Sequence, residues 1–153
     1  MKIKVKKLHE DAIIPRFAHS TDTGFDLFTV EKAVIEPRQK GIVKTGLSME
    51  FPKGWGMAIR NKSGITIKGV PNGGIDKTSD LTVYLGTIDN GYRGEIGIMV
   101  KNETDEKIII PKHTKLAQGV LEKVTQCEFE LVEELENSKR GTGGYGSTGV
   151  GIE

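Results

Sequence analysis

The chain has 153 residues, a length expected to form one domain with its own core. Lys and Arg number 22 against 21 Asp and Glu, so the net charge is +1, and no strong field exists to hold a nucleic-acid backbone or an anionic membrane. The lone cysteine, Cys127, excludes an internal disulfide and a Cys-rich zinc site, fits a reducing cytoplasm, and is expected to be structural.

Glycine is abundant at 20 residues and aromatics are sparse at 6%, which favours tight turns over long helices. The opening MKIKVKKLHEDAII alternates Lys with Ile3 and Val5. That is strand periodicity, and it contains no apolar run of signal-peptide or membrane-span length. In TGFDLF, Asp26 lies between large apolar residues and is expected to start a strand, with its carboxylate facing solvent or a metal. Further strands are expected at 33–35, 42–49, 57–59 and 65–67, separated by the breakers EPRQKG and FPKG. Between the last two, IRNKSG sets Arg60, Lys62, Ser63 and Gly64 in a short turn, either an oxyanion cradle or a solvated basic loop.

Leu81, Val83 and Leu85 alternate with Thr82 and Tyr84, and Ile96, Ile98 and Val100 alternate with Gly97 and Met99. Between these strands lies Asp89-Asn90-Gly91-Tyr92, whose Asn-Gly pair predicts a two-residue hairpin with positive φ at both central positions. Such a tip brings Asp89, Tyr92 and Arg93 together. Asp89 is then a turn-stabilising residue or a catalytic carboxylate. Another strand is expected at 107–110, while 116–124 and 129–137 fit helix or strand. Many short strands spaced by about ten residues predict an all-β sandwich, jelly roll or barrel.

The chain closes on RGTGGYGSTG, which cannot build a core because half its residues are glycine. Converging backbone N–H groups, Arg140, Ser147 and Thr148 suit phosphate, and the face of Tyr145 suits a base. The alternative is a flexible tail. His9, His19 and His113 have no ligand spacing, and there is no GxSxG, P-loop or dinucleotide fingerprint.

In order, TGFDLF (23–28), IRNKSG (59–64), GTIDNGYRGEIGI (86–98), KLAQG (115–119) and RGTGGYGSTG (140–149) resemble the five motifs of the homotrimeric, all-β dUTPase family. The resemblance implies a distorted jelly-roll body at 1–138 and, at 139–153, an arm exchanged between protomers. It implies hydrolysis of dUTP to dUMP and pyrophosphate with magnesium, at sites assembled from three subunits. Asp89 would be the base for the attacking water, with Gln118 near that water and the α/β-phosphates. Asp26 would hold magnesium through a water. Lys62, Ser63 and Gly64 would contact phosphate, and Arg140, Gly146, Ser147 and Thr148 would close over the γ-phosphate. Gly86, Thr87 and Ile88 would read uracil, Tyr92 would pack on the deoxyribose, and Tyr145 would lid the base.

The chain departs from the family where Lys62 replaces an arginine, Val83 an asparagine and Tyr145 a phenylalanine. It also carries an extra loop at 70–80, whose Asp76 is rejected as the base because no Tyr-Arg-Gly-Glu follows it. Two alternatives accompany the resemblance: a dCTP deaminase of related fold, and a phage-type enzyme that also binds a regulatory protein.

Overall fold

The computed structural model describes residues 1–74 and 77–144. The strands among the described residues are β1 (Lys4–Lys7), β2 (Gly24–Phe28), β3 (Ala33–Ile35), β4 (Lys40–Lys44), β5 (Leu47–Glu50), β6 (Trp55–Asn61), β7 (Val70–Pro71), β8 (Thr78–Ser79), β9 (Leu81–Val83), β10 (Gly86–Ile88), β11 (Gly97–Asn102), β12 (Ile108–Ile110) and β13 (Lys115–Lys123). The helix among the described residues is α1 (Ser63–Lys68).

All the pairings are antiparallel, and the all-β class is the one that the period-two segments predict. The principal sheet runs β10-β6-β13-β2; a second runs β4-β11-β9, and β1-β5, β12-β3 and β7-β8 form ribbons. Alternation explains the packing: Ile98 and Val100 of β11 are fully buried while Met99 between them is exposed. Leu27, Met57, Ile108, Ile110 and Leu116 complete the centre of the core. Each such side chain contributes about 1.5–3 kcal/mol on burial. Among the described residues, no helix is long and apolar enough to cross a membrane.

Several local expectations are corrected. The run at 42–49 is two strands, because Gly46 takes φ +69 between β4 and β5. Residues 65–67 lie in α1, where Ile67 is exposed. A three-residue apolar run carries no period long enough to separate helix from strand. Residues 116–123 are strand, whereas 129–137 are neither helix nor strand.

The segment 70–80 is a ribbon rather than an open loop. Asn72 braces the ribbon by donating to Ser79 Oγ (2.8 Å) and joins it to β12 by accepting from the Ile109 N–H (2.8 Å). Asp76 and its neighbour Ile75 lie outside the described residues. After the Val124 N–H bonds the Gly54 carbonyl (2.8 Å), every residue from 125 to 142 is exposed. Cys127 lies there, so it fills no core position.

Candidate functional site

One group of motif residues forms on the outer face of the principal sheet. Register places Asp26 of β2 opposite Gln118 of β13, and Gln118 opposite Arg60 of β6, so the three share a face. In a regular strand Lys115 would point the other way from Gln118, three residues on. A bulge at Leu116 prevents this: Lys115 pairs with Phe28 while Ala117 pairs with Leu27. Lys115 is thereby turned onto the face of Asp26, and its Nζ lies 3.0 Å from Asp26 Oδ2. Lys62 Nζ donates to the other oxygen, Oδ1.

Asp26 is not at a strand start facing solvent; it is mid-strand, 4% exposed and bracketed by two ammonium groups. Burial pushes its pKa up, but hydrogen bonds from Lys62 and Lys115 outweigh this and hold it below the ordinary value of 3.8. Ser63 and Gly64 follow Lys62 directly and open α1. A Cβ at Gly64 would meet nothing within 4 Å, so packing within the chain does not require glycine there.

The second group lies around β10, the edge strand of the same sheet. Gly86, Thr87, Ile88, Asp89 and Tyr92 line an open cleft of about 290 Å3, floored by Ile42, Ile59 and Met99. The 89–92 turn closes with the Tyr92 N–H on the Asp89 carbonyl (3.1 Å). It is not the predicted hairpin, because β10 pairs with β6 and β11 with β4 and β9, and neither Asn90 nor Gly91 has positive φ.

The Asn90 amide supplies the reason. It donates to the carbonyls of Phe51 (3.2 Å), Pro52 (2.8 Å) and Trp55 (2.8 Å), tying the turn to the preceding loop instead of to a partner strand. Tyr92 Oη donates to the Glu95 carbonyl (3.0 Å), and its ring lies over Gly94, where a Cβ would approach Oη to 2.3 Å. Arg93 does not line the cleft with Asp89 and Tyr92; its guanidinium caps the Asn90 and Tyr92 carbonyls.

Asp26 on β2 and the cleft at β10 lie on opposite edges of one four-stranded sheet, with Gln118 on β13 and Lys62 at the end of β6 between them. Three interstrand spacings separate Asp26 from β10 by roughly 14 Å. Within one chain Asp26, Lys62 and Gln118 come together, and so do Asp89 and Tyr92, but the two sets do not meet. Arg140 joins neither set: it is exposed, with Nε donating to the Gly143 carbonyl (2.9 Å). Tyr145, Gly146, Ser147 and Thr148 lie outside the described residues.

The implied magnesium can be tested against this donor set. Among the described residues no group of three His, Cys, Asp or Glu side chains could hold a metal ion. Asp26 has both oxygens engaged by lysines. A bare divalent cation would meet two positive charges; a magnesium ion chelated by phosphates, with Asp26 reached through water, fits.

The dUTPase family model matches residues 10–149 of the 153. The chain belongs to the dUTPase family. Among curated relatives, the deoxyuridine 5'-triphosphate nucleotidohydrolase of Clostridioides difficile is 41% identical over 149 residues, covering 96% of this chain and 97% of the relative. That of Nautilia profundicola is 40% identical over 151 residues, covering 97% and 99%. Among solved structures, the Staphylococcus bacteriophage 80alpha dUTPase with dUpNHpp superposes with a TM-score of 0.85 at 30% identity, covering 97% of this chain and 99% of that one. A phage phi11 dUTPase mutant, described with a structural Mg(II) ion, gives 0.77 at 28% identity, covering 90% and 100%.

Two residues important to this dUTPase geometry, Lys115 and Gly94, have no role in the sequence reading, and a third, Asn90, has a different one. Lys115 stood inside KLAQG, but the bulge that aims it is a property of two strands together. Asn90 was read for its φ rather than its amide, and Gly94 for no role at all.

Proposed function

We infer that the chain is a dUTP diphosphatase, hydrolysing dUTP to dUMP and pyrophosphate and so keeping uracil out of DNA while supplying dUMP for thymidylate synthesis. The single observation that carries the geometric part is the cleft at the open edge of β10, bounded by Asp89 and Tyr92. An edge strand leaves alternate N–H and C=O groups without ladder partners, and these suit the donor and acceptor edge of uracil. Recognition by such hydrogen bonds rejects a mismatched base by about 10⁴ or more, whereas exclusion of one methyl is worth about 10- to 200-fold.

In this reading Asp89 takes a proton from water as it attacks the α-phosphorus, and the bond to the departing pyrophosphate breaks in line. A positioned base supplies about 10² to 10⁴ in rate. Lys62, Ser63, Gly64 and Gln118 hold the phosphates and the water, and Asp26 orients the metal's hydration shell. Magnesium, when bound with the nucleotide, neutralises charge developing on the phosphate oxygens. Tyr92 packs on the sugar. Arg140, Gly146, Ser147 and Thr148 close over the γ-phosphate, and Tyr145 covers the base.

Separation of Asp26 from the Asp89 cleft by a sheet's width supports a site shared between chains, and we propose the homotrimer with residues 1–138 as body and 139–153 as arm. Phe129, Leu131 and Leu135 are 87–100% exposed, which supports the segment before the arm packing on a neighbour. We place the enzyme in the cytoplasm. The bacteriophage 80alpha enzyme is described as controlling transfer of virulence genes; the corresponding reading here is a regulatory protein partner, tested by pull-down with and without a non-hydrolysable dUTP analogue.

Incubation with dUTP, dCTP, dTTP and UTP plus magnesium, scoring pyrophosphate and ammonia separately, tests the activity. Pyrophosphate from dUTP alone is expected. Ammonia from dCTP without pyrophosphate from dUTP would overturn the assignment in favour of the deaminase.

A further inference from the structure

Lys62 is assigned above to phosphate, yet in the free chain it lies on Asp26. The Asp26 carboxylate and its two lysines carry a net charge of +1. Arg60, on the same face, pairs with Glu122 at 2.7 Å, whereas Lys62 directly precedes Ser63 and Gly64, which makes it the cation placed to meet an arriving polyanion beside them. Its departure alone would strand a carboxylate that is 4% exposed, a strongly unfavourable event. Lys115 removes that obstacle. It has two anchors, Asp26 Oδ2 at 3.0 Å and the Phe28 ring at 5.9 Å, and its backbone is fixed within β13 by the Leu116 bulge. Lys62 is on the short connection between β6 and α1, and Asp26 is its side-chain partner.

We propose that Lys115 is a positioning residue that stays on Asp26 throughout, while Lys62 is an exchangeable partner that leaves Asp26 for a nucleotide phosphate when substrate binds. The inference rests on the reading of the chain as a triphosphate hydrolase. Lys115 keeps the buried carboxylate paired and aimed during the exchange, and the bulge exists to put it there. The exchange also makes Lys62 differ from a fixed arginine fork: a compact ammonium on a flexible stem changes partners with little reorganisation.

Lysine side-chain NMR on the intact protein tests this directly, with Nζ resonances assigned through Lys62→Arg and Lys115→Arg. On adding a non-hydrolysable dUTP analogue with magnesium, the Lys62 resonance should move and lose its through-bond coupling to Asp26, while Lys115 retains its own. If the amides of Gly86, Thr87 and Ile88 shift but Lys62 stays on Asp26, the exchange is wrong and the hydrolase reading stands. If neither the amides nor the lysines respond, both fall.

Binding gives a second readout. Lys62→Met should weaken analogue binding about tenfold in the parent, the loss of one charge-assisted hydrogen bond. Lys115→Met, which pins Lys62 to Asp26, should by itself weaken analogue binding to about the level of Lys62→Met, and Lys115→Arg should behave as the parent. Parental analogue binding by Lys115→Met would overturn the proposal.

Discussion

Asn90→Gly separates two accounts of the 89–92 turn. If asparagine were there for positive φ, glycine would serve as well or better. The structure instead gives it ordinary backbone geometry and an amide shared among the carbonyls of Phe51, Pro52 and Trp55 at 3.2, 2.8 and 2.8 Å. At about 0.5–1.5 kcal/mol net per bond, with the longest weakest, removal should cost about 2–3 kcal/mol. For a chain of this size that lowers Tm by roughly 5–10 °C, measured at fixed protomer concentration because assembly shifts apparent stability. Turnover should fall as well, since Asp89 is adjacent and a displacement of about 1 Å can cost about 100-fold. Gly91→Ala is the control: Gly91 has no positive φ, and a Cβ there meets nothing within 4 Å, so Tm should be unchanged. An Asn90→Gly protein with parental Tm and turnover would refute the tether.

The remaining predictions concern the proposed chemistry and its charges. Asp89→Asn should preserve the fold and analogue binding while cutting kcat at least about 100-fold in steady-state assays; near-parental turnover would remove Asp89 from the base role. Gly64→Ala should leave Tm unchanged, because the added methyl has open space within the chain, yet raise KM for dUTP by crowding the phosphates; an unchanged KM would show that nothing approaches Gly64. Lysine hydrogen bonds depress the pKa of Asp26 below 3.8 in the folded state despite burial, so its contribution to stability is fully present above the unfolded value and lost as pH falls through the folded one. Denaturation of the parent and Asp26→Asn from pH 8 to 2 should give a constant difference down to about pH 5 that shrinks below about pH 4; a difference already falling above pH 6 would contradict this.

What could be read from the sequence was whatever one strand encodes by itself. Leu81 and Val83, or Ile98 and Val100, announce buried faces because side-chain period and burial coincide. The five motifs likewise marked Asp26, Lys62, Gln118, Asp89 and Tyr92 before any geometry was known. What escaped depends on cross-strand partners. The Leu116 bulge that turns Lys115 toward Asp26 requires the register with β2, and the Asn90 tether requires the loop before β6. The Asn-Gly hairpin failed for the same reason: local φ preference yields when a side-chain amide finds three acceptors and the flanking strands find other partners. Residues 65–67 were misread because so short a run has no period.

The central claim is that one active site draws its carboxylates from different chains, and subunit mixing tests it most directly. Asp26→Asn and Asp89→Asn, each expected to be inactive alone, are unfolded together at equal concentration, refolded and assayed for dUTP hydrolysis. With random assembly, a site takes an intact Asp26 from one chain and an intact Asp89 from its neighbour with a chance of one half each, so activity should return to about a quarter of the parent's. If both carboxylates served within a single chain, every site in the mixture would lack one of them, and activity would stay at the background of the separate variants.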